Sequence, residues 1–314
     1  MNTSTQNKPR VLGIVGATAS AKTALSLPLA QALNCEIVCM DSMQIYRRMD
    51  IGTAKPTADE RALIPHHMLD IVEPTEPFSV AQYVEQARAV IADIVHRGRV
   101  PMLVGGTGLY LQGLTLPMDY GGLPSDPAIR KRLTEQAERE SAASMHARLA
   151  AVDPPAAARL HPNDQRRVIR ALEIYELTGI PMSQHRTPTQ ADAPYDFSLY
   201  AVDWPRAELH VRINQRVDQM LANGLMQEVQ VLLDSGVAED AQSMQGLGYK
   251  ELLPCLHGDI SLAQAAEAIK VGTRNYARRQ LIWFRRDTRI RWIPSTELSH
   301  AKERIIQDWE EHIR

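Results

Sequence analysis

The sequence lacks the features that mark membrane-spanning, repetitive or strongly basic chains. The polar residues 1–10 precede an apolar run that is too short for a signal peptide or a membrane helix. The 314 residues contain no low-complexity tract and no internal repeat, and the formal net charge is only −2. Because no global positive charge is present, any contact with nucleic acid must come from local clusters of basic residues.

Cysteine is scarce as well. The chain contains only Cys35, Cys39 and Cys255, and their spacing is not that of a metal site. Cys35 and Cys39 fall in or beside one predicted strand, which holds them too far apart for a disulfide. These features favour a reducing compartment, so we expect a soluble, cytoplasmic protein that does not contact a membrane.

Strands and helices alternate in the first third of the chain. Apolar runs at 11–15, 36–40 and 100–104 predict buried parallel strands. A helix is expected to begin at Lys22, although Pro28 indicates a kink or a later start, and another is expected over 79–98 behind a Ser79–Gln82 capping box. The pattern predicts a doubly wound α/β fold.

The pattern changes after about Pro117. Residues 126–151 and 164–178 predict helices with no strand between them, and strand 197–202 then returns the chain to the core. Long helices follow at 205–223, 225–235 and 261–285. We therefore predict a disordered tail at 1–10, an α/β core with C-terminal helices at 11–117 and 197–314, and a helical insertion at 118–196.

Residues 11–23 have the layout of a phosphate-binding P-loop, a strand followed by a small-residue loop and a Lys-Thr pair, so the core is predicted to be P-loop NTPase-like. Lys22 is expected to contact phosphate oxygens and the Thr23 hydroxyl to bind Mg²⁺. An ordinary strand-to-helix turn is the alternative. Ala21 stands where the motif has glycine, and its Cβ is expected to weaken phosphate binding. The predicted diphosphate-binding residues are Gly16, Ala17, Thr18, Ala19, Ser20, Ala21, Lys22 and Thr23.

Two polar residues follow predicted strands. Asp41 comes after strand 36–40 and is interpreted as a general base, a metal-linked carboxylate or a helix cap. Thr107 follows Gly105-Gly106 and is either close to a ligand or a helix cap. The adjacent His66 and His67 are interpreted as structural residues of a loop.

Basic residues cluster in three places, within 270–291, in the insertion and in the helix at 205–223. Such clusters are solvated faces or contacts to anions such as RNA phosphates. Those in the insertion and that helix are Arg166, Arg167, Arg170, Arg212 and Arg216. From the P-loop core alone, we predict a kinase or another phosphoryl-transfer enzyme.

Several longer motifs resemble the tRNA dimethylallyltransferase family. They are Asp-Ser-Met-Gln-Ile-Tyr at 41–46, Met-Asp-Ile-Gly-Thr-Ala-Lys-Pro at 49–56, Val-Gly-Gly-Thr-Gly-Leu-Tyr at 104–110, the segment from His161 to Glu173, Gly-Tyr-Lys-Glu at 248–251 and Thr-Arg-Asn-Tyr-Ala-Arg-Arg-Gln at 273–280. They occur in the family's order, and the resemblance spans roughly residues 11–292.

The resemblance implies transfer of a dimethylallyl group from its diphosphate to N6 of the adenine 3′ of the anticodon, with Mg²⁺ as cofactor. Asp41 matches the general base, Lys22 and Thr23 hold the leaving diphosphate, Thr107 lies near the reacting centre, and Arg216 reaches the diphosphate or the adenine. The adenine is expected to flip out of the anticodon stem-loop. The implied tRNA contacts are Asp41, Ser42, Met43, Gln44, Thr107, Arg130, Arg166, Arg167, Val168, Ile169, Arg170, Gln245, Gly246, Leu247, Gly248, Tyr249 and Lys250.

The chain departs from the family pattern in its P-loop. Ala17 replaces a proline and Ala21 replaces the second glycine. From the cysteine count we do not expect the zinc-finger extension of some eukaryotic relatives. We expect a monomer. The alternatives are a small-molecule or nucleotide kinase, an enzyme that prenylates free adenosine nucleotides, and a tRNA-binding protein with weakened diphosphate binding.

Overall fold

The computed structural model describes residues 8–115, 125–185 and 193–311. The chain divides into two compact units, Met1–Thr115 with Ala193–Arg314, and Leu116–Asp192. The first unit is α/β and the second is helical. Most of the predicted tail and parts of the predicted insertion, at 118–124 and 186–192, lie outside the described residues. Arg10, which was assigned to the tail, is instead the first residue of a strand.

The α/β unit is built on a sheet of six parallel strands, in the order β3-β2-β4-β1-β5-β6. The predicted parallel α/β fold is therefore confirmed. His66 and His67, predicted to lie in a loop, instead pair with Ile37 and Val38 as a short edge strand. The strands are β1 (Arg10–Val15), β2 (Cys35–Met40), β3 (His66–His67), β4 (Val100–Gly105), β5 (Asp196–Asp203) and β6 (Ile290–Pro294).

Helices cover the sheet. Pro28 lies inside α1 and does not interrupt it, and the capping box at Ser79 starts α3 as predicted. No helix among the described residues is long and apolar enough to cross a membrane. The helices of this unit are α1 (Lys22–Ala32), α2 (Ala58–Leu63), α3 (Val80–His96), α4 (Gly108–Thr115), α9 (Arg206–Ala222), α10 (Leu225–Asp234), α11 (Leu253–Leu256), α12 (Leu262–Phe284) and α13 (Ala301–Glu311).

The register of the sheet brings three strand ends together. Met40 pairs with Gly105, and Gly105 pairs with Val15, so the loops after β2, β4 and β1 lie side by side. Gly105 is required for this arrangement, because a Cβ there would lie 2.0 Å from the Met40 carbonyl oxygen. Ligands of open parallel sheets bind at this carboxyl edge.

The helical unit contains α5 (Pro127–Arg139), α6 (Ala142–Val152), α7 (Pro154–Arg159) and α8 (Gln165–Thr178). The prediction of one helix over 126–151 is wrong, because Ser141 caps a new helix whose Ser144 N–H donates to its hydroxyl. A break between helices was expected at 153–155. In the structure α7 begins there, at Pro154, since proline is tolerated in the first turn of a helix.

A buried carboxylate holds α5 against α8. Glu173 is fully buried and accepts hydrogen bonds from Arg130 and Arg170, each at 2.9 Å. Burial opposes ionisation, but these donors outweigh it and keep the pKa of Glu173 below its ordinary value. The side chains of Val168 and Ile169 are also buried, in the core of this unit. Arg130 and Arg170 thus stabilise the fold of the insertion, and contact of these four residues with tRNA stays a prediction.

Candidate active site

A cavity of about 1100 Å³ opens at the carboxyl edge of the sheet. Single small-molecule sites usually occupy roughly 300–1000 Å³. The cavity therefore has room for a diphosphate ester together with part of a second substrate. Among the predicted site residues, those that line it are Thr18–Thr23, Asp41–Gln44, Arg216 and Gln245–Lys250.

The phosphate loop joins β1 to α1. Its residues from Thr18 onward line the cavity, whereas Ala17 is buried against Leu209 and Ile213 of α9. The first intrahelical bond runs from Leu25 N–H to the Ala21 carbonyl, so the N–H groups just before it have no acceptor within the helix. The Thr18 N–H was predicted to bind phosphate, but it already donates to Gln280 Oε1 at 2.9 Å.

Ala21 adopts the backbone conformation that normally requires glycine. Its φ is 69° and its ψ is 25°, and Ala19 also has a positive φ of 61°. The missing glycine thus introduces backbone strain, because a Cβ disfavours this left-handed region. The prediction that Ala21 weakens diphosphate binding remains a prediction.

The Ala21→Gly variant is expected to be more stable than the natural sequence by about 1 kcal/mol, since it removes left-handed strain. Urea unfolding checks this. The matched control is Ala24→Gly in the first turns of α1, where the same exchange should destabilise the protein by about 0.5–1 kcal/mol. Equal effects of the two substitutions would contradict a special conformation at Ala21.

Two cations face the loop without a carboxylate partner at hydrogen-bonding distance. Lys22 donates to the carbonyls of Gly16 and Ala17 at 3.2 and 2.6 Å. Burial of its charged end, and secondly the charge of Arg216, lower the pKa of Lys22 to about 8, against the opposing effect of Asp41. The Arg216 Nε atom is buried and has no hydrogen-bond acceptor. Both groups are therefore prepared to receive an anion.

Diphosphate binding is expected to take up a proton at Lys22 above pH 8. Below that pH the Lys22 amine is charged both in the ligand-free protein and in the diphosphate complex. Above it the amine of the ligand-free protein is neutral, whereas the bound anion raises the pKa of Lys22 and keeps the amine charged. Affinity should accordingly weaken as the pH rises through about 8. Calorimetry in buffers of different ionisation enthalpy measures the uptake. Lys22→Arg, which stays charged, gives the ligand's own pH dependence, and an identical profile for both proteins would contradict the assignment.

Asp41 and Thr107 meet at the ends of neighbouring strands. Asp41 Oδ1 accepts the Met43 N–H at 2.9 Å, and the Thr107 hydroxyl accepts the Ser42 N–H at 3.0 Å. The Asp41 charge influences both Lys22 and Arg216. The carboxylate thus lies beside the cationic end of the cavity, and Asp41 lines the cavity.

Gln44 was predicted to contact tRNA, but its amide is engaged within the protein. Its Nε2 donates to the carbonyls of Thr53 and Ala54 at 3.0 and 3.2 Å, and its Oε1 accepts from the Cys39 thiol at 3.1 Å. Gln44 therefore shapes the segment after β2, and this segment forms one wall of the cavity.

Sequence reasoning missed Glu228, which connects two walls of the cavity. Its carboxylate accepts the N–H groups of Asp50, Ile51 and Gly52 at 2.7–3.0 Å and the hydroxyl of Tyr249 at 2.6 Å. Tyr249, predicted to contact tRNA, is buried in this connection. No local motif marks Glu228, because all four donors are distant in sequence.

The face of α12 toward the cavity was also missed. Thr273, Tyr276 and Gln280 line it and lie three and four residues apart, which places them on one side of the helix. Burial, and secondly the Asp41 charge, raise the pKa of Tyr276. The motif at 273–280 carried part of the family resemblance, and its helical spacing was the signal that could have assigned these residues to the site.

Known proteins match nearly the whole chain. A family model described as IPP transferase matches residues 44–287, and one described as Isopentenyl transferase matches residues 9–67. The tRNA dimethylallyltransferase 1 of Trichlorobacter lovleyi is 50% identical over 294 residues, covering 93% of this chain and 96% of that protein. The tRNA dimethylallyltransferase of Bacillus subtilis is 47% identical over 302 residues, covering 95% and 96%.

Solved structures agree with the sequence matches. The full-length tRNA isopentenylpyrophosphate transferase from Bacillus halodurans superposes with a TM-score of 0.72 at 41% identity, covering 97% of this chain and 98% of that one. A eukaryotic dimethylallyltransferase acting on tRNA gives a TM-score of 0.80 at 31% identity, covering 93% and 75%.

A parallel sheet with a phosphate loop and a carboxylate in one cavity defines a group-transfer enzyme with a P-loop-like fold. The matches make the assignment specific: the chain belongs to the IPP transferase family. The family expected from the motifs is confirmed, and so is a tRNA prenyltransferase as the type of enzyme. The alternatives of a kinase and of a tRNA-binding protein with weakened diphosphate binding are not favoured.

Proposed function

We propose that this chain transfers the dimethylallyl group of dimethylallyl diphosphate to N6 of the adenine immediately 3′ of the anticodon in tRNA. The observation that carries the proposal is the convergence of Lys22, the unpaired Nε of Arg216 and the Asp41 carboxylate on one cavity. The two cations suit a leaving diphosphate, and the carboxylate suits an attacking amine. We expect the chain to act as a monomer in the cytoplasm.

The electrophilic half of the reaction takes place over the phosphate loop. The bond between the dimethylallyl carbon and the diphosphate oxygen breaks, and the electron pair leaves with the diphosphate. Lys22, Arg216 and the free N–H groups at the start of α1 stabilise the charge that develops. These donors are held in place before the reaction, so little reorganisation is needed.

Magnesium fits the oxygen donors present. The hydroxyl of Thr23, the buried Ser20 Oγ that has no hydrogen-bond partner and the Asp41 carboxylate line the same cavity. The described residues contain no cluster of three metal-binding His, Cys, Asp or Glu side chains. Such a sparse set suits Mg²⁺, which keeps several waters and shares phosphate oxygens. When bound through Thr23, Mg²⁺ would neutralise part of the diphosphate charge.

The nucleophilic half of the reaction uses Asp41. The N6 amine of adenine attacks the dimethylallyl carbon and loses one proton, which Asp41 accepts. Thr107 fixes the backbone beside Asp41 through the Ser42 N–H, so the carboxylate stays at the mouth of the phosphate loop. A stacked adenine cannot reach this position and must leave the stack of the anticodon loop to enter the cavity.

The substrate assignment is tested by incubating the protein with Mg²⁺, dimethylallyl diphosphate and an anticodon stem-loop RNA. We expect the RNA to gain the mass of one dimethylallyl group in place of a hydrogen. A stem-loop with guanine in place of the target adenine is the matched control and should stay unmodified.

Two results would contradict the proposal. Modification of free adenosine nucleotides at a rate equal to that of the stem-loop would remove tRNA as the specific acceptor. Transfer of phosphate from ATP, without transfer of the dimethylallyl group, would instead support a kinase.

A further inference from the structure

The phosphate loop of this chain is strained, and side chains from distant elements form hydrogen bonds with its backbone. Ala19 and Ala21 both have positive φ values, of 61° and 69°. Neither residue is glycine, so the isolated loop would favour another conformation. Something other than local preference must therefore select the observed backbone.

Two side chains on one side of the loop hold its carbonyls. The indole Nε1 of Trp204 donates to the Ser20 carbonyl at 3.2 Å, and Arg212 Nε donates to the Ala19 carbonyl at 2.8 Å. The Arg212 guanidinium also lies 4.2 Å from the centre of the Trp204 ring, so the two side chains support each other.

The peptide geometry makes these contacts relevant to anion binding. In a planar trans peptide, the carbonyl of one residue and the N–H of the next point in opposite directions. Holding the carbonyls of Ala19 and Ser20 toward Arg212 and Trp204 directs the N–H groups of Ser20 and Ala21 to the other side of the loop. These two N–H groups then have the orientation needed to bind phosphate oxygens.

A third side chain fixes the beginning of the loop. Gln280, which is 6% exposed, accepts the Thr18 N–H through Oε1 and donates from Nε2 to the Gly106 carbonyl at 2.8 Å. One amide therefore ties the loop after β1 to the loop after β4. The N–H of Thr18 serves this structural contact.

We propose that Trp204, Arg212 and Gln280 form a brace that keeps the strained phosphate loop ready to bind diphosphate, compensating for the alanine at position 21. These are positioning residues, and they act through the loop backbone. The inference rests on the proposed function, because it takes diphosphate as the ligand of the loop. It predicts that the brace matters most when residue 21 disfavours the left-handed conformation.

The test is a double-mutant cycle between Trp204→Phe and Ala21→Gly, read as the affinity for inorganic diphosphate with Mg²⁺ by calorimetry. Trp204→Phe removes the N–H donor and keeps an aromatic ring. It should weaken binding by about 2- to 10-fold, the worth of one hydrogen bond. With glycine at position 21 the same substitution should cost much less, because glycine adopts the required conformation without strain. Arg212→Lys, which keeps the charge, should follow the same pattern.

Trp292→Phe is the matched control, since Trp292 is a partly exposed residue of β6 outside the cavity and should leave affinity unchanged in both backgrounds. Equal losses for Trp204→Phe with alanine and with glycine at position 21 would overturn the brace while leaving the diphosphate site intact. A wild-type protein that binds no diphosphate would overturn the site itself, and the brace with it. Melting temperatures of all variants separate loss of fold from loss of affinity.

Discussion

Replacing Asp41 by asparagine is expected to lower kcat for prenyl transfer by about 10²- to 10⁴-fold, the usual contribution of a positioned general base. The asparagine side-chain oxygen can still accept the Met43 N–H that Asp41 accepts at 2.9 Å, so the turn after β2 is retained. The amide cannot take the proton that leaves N6. Single-turnover measurements of product, together with binding of diphosphate and of the stem-loop, should show slow chemistry with affinities largely preserved.

The control for this substitution is Asp59→Asn on α2. Asp59 lies in the exposed first turn of that helix and does not itself line the cavity, so Asp59→Asn makes the same change of charge without altering the lining. Its kcat should match that of the natural protein. If Asp41→Asn also kept the natural single-turnover rate, Asp41 would not be the base, and another acceptor for the proton would have to be found.

The position of Asp41 was predictable because it follows from topology. Asp41 and Thr107 each follow a short buried strand, and the carboxyl ends of parallel strands lie at one edge of the sheet. The apolar runs predicted β1, β2, β4 and β5 to within a residue or two. Strand β6 was missed because only Ile290 and Ile293 of its five residues are buried. Arg289 just before the strand and Arg291 within it suggest a charged surface instead.

The contacts that refine the site were not predictable from local patterns. Trp204 and Gln280 are separated from the phosphate loop by 184 and 262 positions, so only the folded chain brings them to it. The backbone strain at Ala21, in contrast, was indicated by the sequence, because alanine stands where the motif has glycine. The ion pairs of Arg130 and Arg170 with the buried Glu173 were likewise not indicated by any local pattern, and contact of these arginines with tRNA stays a prediction.

Lys22→Met is expected to lower kcat by about 10²- to 10³-fold, as for the loss of one preorganised donor to a developing anion. Lys22 is the cation closest in sequence to the loop N–H groups, and its charge is needed when the leaving diphosphate gains an electron pair. Steady-state and single-turnover kinetics with the stem-loop measure the effect. Lys302→Met on α13, outside the cavity, is the control for a loss of positive charge. Natural kinetics in Lys22→Met would contradict a role in catalysis.

Arg216→Met separates a functional charge from a structural one. Burial lowers the pKa of Arg216, and its Nε atom lacks an acceptor, so in the ligand-free protein the charge destabilises the fold. We therefore expect Arg216→Met to raise the melting temperature while it lowers kcat.

The charges of Lys22 and Arg216 repel each other, and an anion bound by both residues would offset this repulsion. The loss in the double variant should accordingly be smaller than the sum of the single losses, whereas strict additivity would mean that the two cations do not share a ligand.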